Sequence, residues 1–252
     1  VEFEERYHHI APYVVGAMLG DGTLGWNTEV RICTTEREIL EQIKNAMPAI
    51  DIVARSDNDY LLRDLGPVWG CRTPIDQEFM RLKLRGCLSR DKFIPEEYLF
   101  DSVENRIELL RGLMDTDGSI YGKCAMEYST MSRQLALDVV QLVQSLGGKA
   151  HIKEKRAICC KKDGVKKDCG IAYRISLKIQ DINPFHLPRK RSRFYKIRYE
   201  RTRVIKSMVK VRREQSRCIE VDSVDHTYVT HDFVVTHNST SLGARQLMFS
   251  NV

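Results

Sequence analysis

Along the first two hundred residues the spacing of apolar positions changes in the same order twice. Tyr13 to Gly22 reads YVVGAMLGDG, an apolar stretch with small residues four apart that ends in aspartate and glycine. This is the pattern of a buried helix stopped by a turn. Leu109 to Gly118, LLRGLMDTDG, repeats it, and placing Asp21 on Asp117 sets an offset of 96 residues. The same offset lays RICTTEREILEQIKNA from Arg31 on EYSTMSRQLALDVVQL from Glu127. In each segment a strand-like run meets a Thr or Ser cluster able to cap a helix whose apolar positions have helical spacing: Ile39, Leu40 and Ile43 in one, Leu135, Val139, Leu142 and Val143 in the other. Each copy therefore reads as helix, strand pair, helix, strand pair.

Outside the repeated core the strand pattern is looser. Residues 51–65, with Ser56-Asp57-Asn58-Asp59 at their middle, read as a hairpin, and residues 149–177, broken by Lys161-Lys162-Asp163-Gly164, as its longer counterpart. Pro95 and Pro188 punctuate the ends of the two copies. After Ser216, short β-branched runs from Cys218 to Val224 and Thr227 to Thr236 predict strands of a separate all-β unit. Residues 239–252 look like the opening of a further helix. The expected fold class is α+β, two pseudo-symmetric units followed by an all-β fragment. The expected domains are residues 1–106, 107–215 with a basic tail, 216–238 and 239–252.

Composition changes this picture in three respects. No run approaches the roughly 18 apolar residues a bilayer helix needs, so no membrane span is expected. Eight cysteines, irregularly placed and with no secretory leader ahead of them, fit a reducing cytoplasm, bacterial or phage-infected, better than a disulfide scaffold. The net charge of +6 is also unevenly spread: residues 1–148 hold 16 basic and 24 acidic side chains, residues 149–178 hold 10 and 3, and residues 186–217 hold 13 and 2. A basic second half points to a polyanion partner, with a solvated basic face as the alternative.

Two helices that each end in Asp-Gly carry the chemistry. Gly16 and Gly20 share one face, as do Gly112 and Thr116, and small residues four apart let helix backbones approach closely. Packed in this way, the helices bring Asp21 and Asp117 together across a pseudo-twofold axis. Two close carboxylates repel unless a divalent cation lies between them. A Mg2+-type site beside a basic surface suits phosphodiester hydrolysis, where the metal activates water and stabilises the leaving oxygen. The plain alternative is two buried helices, each finished by an Asp-Gly turn.

VVGAMLGDG and LRGLMDTDG resemble the two motif copies of the LAGLIDADG homing endonucleases, and the resemblance extends over residues 10–200. It implies an αββαββα fold per repeat, a saddle of two sheets over double-stranded DNA, and a staggered double-strand cut at a long, asymmetric site in the uninterrupted host gene. It also implies that Asp21 and Asp117 bind the metal. Asp91-Lys-Phe-Ile-Pro95 resembles the lysine-containing block between the motifs, and Leu187-Pro-Arg-Lys-Arg191 occupies the matching place after the second copy. Lys92 and Lys190 are thereby implied as lysines that hold water or balance charge near the scissile phosphate; either could instead be solvated or hold a phosphate. DNA contact is expected on the strands, from Arg31, Arg55 and Arg63 in the first copy and Lys149, Lys153, Lys155 and Arg174 in the second. Alternation places only some of these on the DNA face. Arg189 and Arg191, in the basic run after Pro188, are expected on phosphates.

The end of the chain carries a second resemblance. Val234-Val-Thr-His-Asn-Ser239 resembles the terminal block of inteins, and Cys218-Ile-Glu-Val-Asp-Ser-Val-Asp-His-Thr-Tyr228 the block before it, in a Hint-type all-β fold. The residue types suit the chemistry: the Asn238 amide attacks its own backbone carbonyl, forming a succinimide and breaking the bond to Ser239. His237 polarises that carbonyl or protonates the leaving amine, and the Ser239 hydroxyl takes up the upstream acyl group. Cys218 and Thr236 match the class 3 type, in which a cysteine of the earlier block starts the reaction; the alternative is Cys218 as a small buried hydrophobe. His226 sits where these inteins often have a histidine. Zinc is disfavoured, because Cys159 and Cys160 are adjacent and no C-x-x-C pair is present.

The resemblance implies an amino-terminal splicing segment of roughly a hundred residues, the size of a small β domain, and nothing before Val14 matches it. The chain is thus expected to be the later part of an intein, followed by fourteen host residues from Ser239. A host sequence ending in Gly-Lys, joined to Ser239-Thr240, would complete a phosphate-binding loop. This makes a P-loop ATPase, such as a phage terminase large subunit, the expected host. The competing readings are an inactive nuclease scaffold kept for splicing and a DNA-binding module.

Overall fold

The computed structural model describes residues 1–65, 73–122, 125–160, 166–196, 207–210, 212, 215, 221–222, 224–230 and 233–237. The chain divides into compact units at residues 1–198 and 199–252.

The first copy comprises helix α1 (Pro12–Asp21), strands β1 (Gly22–Thr23) and β2 (Arg31–Cys33), α2 (Arg37–Ala46), β3 (Ile50–Ser56), β4 (Asp59–Asp64), and the short helices α3 (Pro74–Arg81) and α4 (Glu96–Leu99). The second runs through α5 (Val103–Thr116), β5 (Gly118–Tyr121), β6 (Ala125–Thr130), α6 (Arg133–Ser145), β7 (Lys149–Cys160), β8 (Lys166–Lys178) and the single-turn α7 (Pro188–Arg191). The fold is mixed α/β, with the expected element order present twice. The α5 helix starts at its Ser102 cap, whose side chain accepts from the Asn105 amide, so the second copy takes up the chain ahead of position 107.

Each copy builds a four-stranded antiparallel sheet with the same strand order, β1-β2-β4-β3 and β5-β6-β8-β7. The second hairpin is the longer, with strands of 12 and 13 residues against 7 and 6. Local capping repeats with the 96-residue offset: Thr34 Oγ1 accepts from the Glu36 amide and Thr130 Oγ1 from the Ser132 amide, each at 3.1 Å. Those two residues cap α2 and α6.

The core lies between the sheets' inner faces and the helices. From Tyr13 to Leu19 every residue of α1 is buried, because this helix packs along α5. The seam is backbone on backbone: a Cβ on Gly16 would lie 2.3 Å from the Leu109 carbonyl oxygen, and one on Gly112 would lie 2.1 Å from that of Tyr13. No other residue fits at either place.

The described part of the second unit holds one antiparallel hairpin, β9 (Thr227–Val229) with β10 (Val235–His237). No helix among the described residues is long and apolar enough to cross a membrane.

Candidate active site

The seam delivers two carboxylates to one place. Asp21 is the last residue of α1, and Asp117 is the residue that ends α5. Burial raises the Asp21 carboxyl above its ordinary range, against the charges of Lys92 and Lys190, which lower it. Asp117 is exposed as a residue, yet its carboxyl is surrounded by protein. That burial, with the charge of Asp21, pushes its carboxyl up to about 6, again opposed by the two lysines. Asp117 therefore feels the charge of Asp21, and both carboxyls feel a common pair of cations.

Both lysines are buried at 4% exposure, and each closes the end of one seam helix. Lys92 Nζ donates to the carbonyls of Met18, Gly20 and Gly22 at 3.0, 3.0 and 2.9 Å. Lys190 Nζ donates to those of Met114, Asp115 and Thr116 at 2.8, 2.6 and 3.3 Å. A helix carboxyl terminus leaves carbonyls without partners and carries partial negative charge, so an ammonium group there satisfies both demands. Burial lowers each lysine to about 8.

Lys92 is held from the opposite copy, Lys190 mainly from its own. Lys92 lies in a segment anchored by α6: Ser132 Oγ donates to the Lys92 carbonyl at 2.6 Å, and the buried Asp138 accepts from the Ile94 amide at 2.8 Å. The Lys190 segment is anchored on Asp115, which accepts from the His186 and Leu187 amides and the Tyr13 hydroxyl at 3.1 to 3.2 Å. Arg189 reaches Glu36, the cap of α2, at 2.6 Å. Arg191 is exposed. Asp115 and Asp138 were not singled out from sequence, although Asp115 stands where the first copy has Leu19, a visible break in the repeat.

The outer faces of the sheets carry the strand cations. On the first, Arg31 pairs with Asp59 at 2.6 Å and Arg63 with Asp51 at 2.8 Å, while Arg55 reaches Glu29 at 2.8 Å. On the second, register places Lys149 opposite Lys178, His151 opposite Ser176, Lys153 opposite Arg174 and Lys155 opposite Ala172. Alternate residues Ala150 and Ile152 pack inward, which turns Lys149, Lys153, Lys155 and Arg174 outward. Glu127 is 3.5 Å from Arg174.

Among the described residues no group of three or more His, Cys, Asp or Glu is arranged to hold a metal ion. An oxygen-only pair such as Asp21 and Asp117 suits Mg2+, which binds through one or two carboxylates and takes its remaining oxygens from water and substrate phosphates. In the second unit Thr236 pairs with Tyr228 and His237 with Thr227 in the hairpin. His226, just before β9, has a left-handed backbone with φ of 51°. Cys218, Asn238 and Ser239 lie outside the described residues, as does the His237 side chain.

Residues 104–175 match the family model of a LAGLIDADG-like domain. A replicative DNA helicase DnaB of Mycobacterium intracellulare is 30% identical over 246 residues, which is 95% of this chain and 37% of that protein. The chain thus spans little more than a third of this curated relative. Similar solved structures include mesophilic variants of the homing endonuclease I-DmoI, at TM-score 0.40 and 16% identity over 73% of this chain and 86% of that one. I-DmoI in complex with DNA and Ca is similar at TM-score 0.40 and 14% identity, over 68% of this chain and 83% of that one.

Proposed function

We propose that this chain is a site-specific double-strand DNA endonuclease of the LAGLIDADG homing type, carried within an intein. The observation that carries the reading is the meeting of Asp21 and Asp117 at the ends of two seam-packed helices, with a lysine buried under each. Asp21 and Asp117 would hold Mg2+, which supplies Lewis-acid activation of water and stabilisation of the leaving oxygen when bound. Lys92 and Lys190 neutralise the helix ends and oppose the rise that burial imposes on both carboxyls. Lys149, Lys153, Lys155 and Arg174 neutralise phosphates, and Arg189 and Arg191 extend that contact. Arg31 and Arg63, tied to Asp59 and Asp51, present directional donors and acceptors to base edges, with Arg55 at their margin.

The second unit would supply the splicing chemistry. Asn238 cyclises with help from His237, Ser239 accepts the acyl group, and Cys218 with Thr236 and His226 starts the reaction once an upstream splicing segment is joined. The similarity to a DnaB helicase favours a replicative helicase over a terminase as the host, and the proposed setting is the cytoplasm of a bacterial or phage-infected cell.

The test is cleavage. With Mg2+ and duplex DNA spanning the uninterrupted helicase gene, the chain is expected to make one staggered cut. Asp21→Asn or Asp117→Asn should each lower the rate about a hundred- to a thousandfold, as loss of a main electrostatic group does. Retained cutting by both variants refutes the assignment, and binding without cutting at any metal concentration supports the inactive-scaffold reading.

A further inference from the structure

Tyr128 lies on β6 with its backbone opposite Gly118, the residue after Asp117. Its side chain is fully buried, and its hydroxyl has no hydrogen-bond partner among the described residues. Such an orphan is costly and calls for an explanation. At the related position of the first copy the chain has Ile32, also fully buried and opposite Gly22, the residue after Asp21. The fold thus fills this place without a hydroxyl. Burial first, then the charges of both Asp117 and Asp21, raise the phenol's ionisation well above its usual range. It is a neutral donor within the field of both carboxylates and has no acceptor of its own.

We propose that Tyr128 is a positioning residue of the carboxylate centre, its hydroxyl donating to an ordered water that in turn donates to Asp21 and Asp117 and fixes their orientation toward a divalent cation. A buried water needs two to four polar partners, and the phenol with two carboxylates supplies them. The cation is the part of this inference that rests on the nuclease reading. Because only the second copy carries the hydroxyl, the two halves of the centre are not equivalent, although the helices beneath them are.

The experiment is Tyr128→Phe in the full chain, read by calorimetric titration with Ca2+ alone and by thermal unfolding without metal. Ca2+ affinity is expected to fall about tenfold, as for other groups that orient ligands from behind, while the melting temperature stays within about 2 °C or rises. Unchanged Ca2+ affinity overturns the proposal whichever way the melting temperature moves, and so does absence of Ca2+ binding by the unaltered chain. Ile32→Val is the control: it should lower the melting temperature and leave Ca2+ affinity in place, and an equal loss of affinity there would mean that general core packing is responsible. If the unaltered chain binds Ca2+ but cuts no DNA, the nuclease reading fails and the Tyr128 assignment still stands or falls on the titration.

Discussion

On the first sheet's outer face the arginines are spoken for, Arg31 by Asp59 and Arg63 by Asp51, whereas the second presents Lys153, Lys155 and Arg174 on one face, with Glu127 3.5 Å from Arg174. Beneath the sheets this contrast disappears. The seam glycines, the Thr turns ahead of α2 and α6 and the lysines closing the helix ends recur with nearly the same partners in both copies. The interior repeats because both halves solve one packing problem; the faces differ because what lies over them is not constrained by that packing. A near-neutral face offers direction without much charge, and a basic face offers charge with little direction.

The largest effects should come from the shared interior. Lys92→Met and Lys190→Met each remove three hydrogen bonds from buried or part-buried carbonyls at a helix end, and each is expected to cost about 3 kcal/mol of stability in urea unfolding. Equal costs support the equivalence of the two sites. A difference above about 2 kcal/mol would mean that one lysine is held for something other than the fold.

An intermediate effect separates the faces. Each phosphate neutralised by a lysine contributes about 0.9 to the slope of log affinity against log salt. Lys153→Ala with Lys155→Ala should therefore flatten that slope by about 2 in fluorescence anisotropy with any duplex. Removing a neutral couple, Arg63→Ala with Asp51→Ala, should leave the slope nearly unchanged while altering which duplexes are preferred. Equal flattening by both double variants would remove the contrast between the faces.

Much of the interior was legible in the sequence because the repeat writes it twice. The 96-residue offset aligns Gly16 with Gly112, Thr34 with Thr130 and Asp21 with Asp117, and side chains in such a seam have one way to pack. The blocks holding Lys92 and Lys190 could be named, but their carbonyl partners, 70 to 76 residues away in the chain, could not, since a lysine's sequence neighbours do not reveal what its far end reaches. Alternation implied that only some of the strand cations share the DNA face; only the pairing of β2 with β4 reveals that Asp59 meets Arg31. Asp115 and Tyr128 were hidden differently. Each is a departure from the repeat, standing opposite Leu19 and Ile32, and a search for agreement between copies passes over departures.

The smallest effect is a matter of pH, and it probes the centre where the two copies meet. The Asp117 carboxyl sits at about 6 in the fold against 3.8 ordinarily, so between those values the folded chain binds more protons than the unfolded one. Stability from this group therefore falls as pH rises through that window, and the full penalty is present above pH 6. Asp117→Asn cannot ionise and should melt slightly higher than the unaltered chain at pH 7, the difference fading as the pH is lowered toward 4. Saturating Mg2+ should reverse the order, because a cation binds the ionised carboxylate and stabilises only the chain that retains it. Asp21→Asn should behave in the same sense, since burial raises that carboxyl too. If Mg2+ leaves both differences unchanged, the carboxylates are neighbours by packing alone.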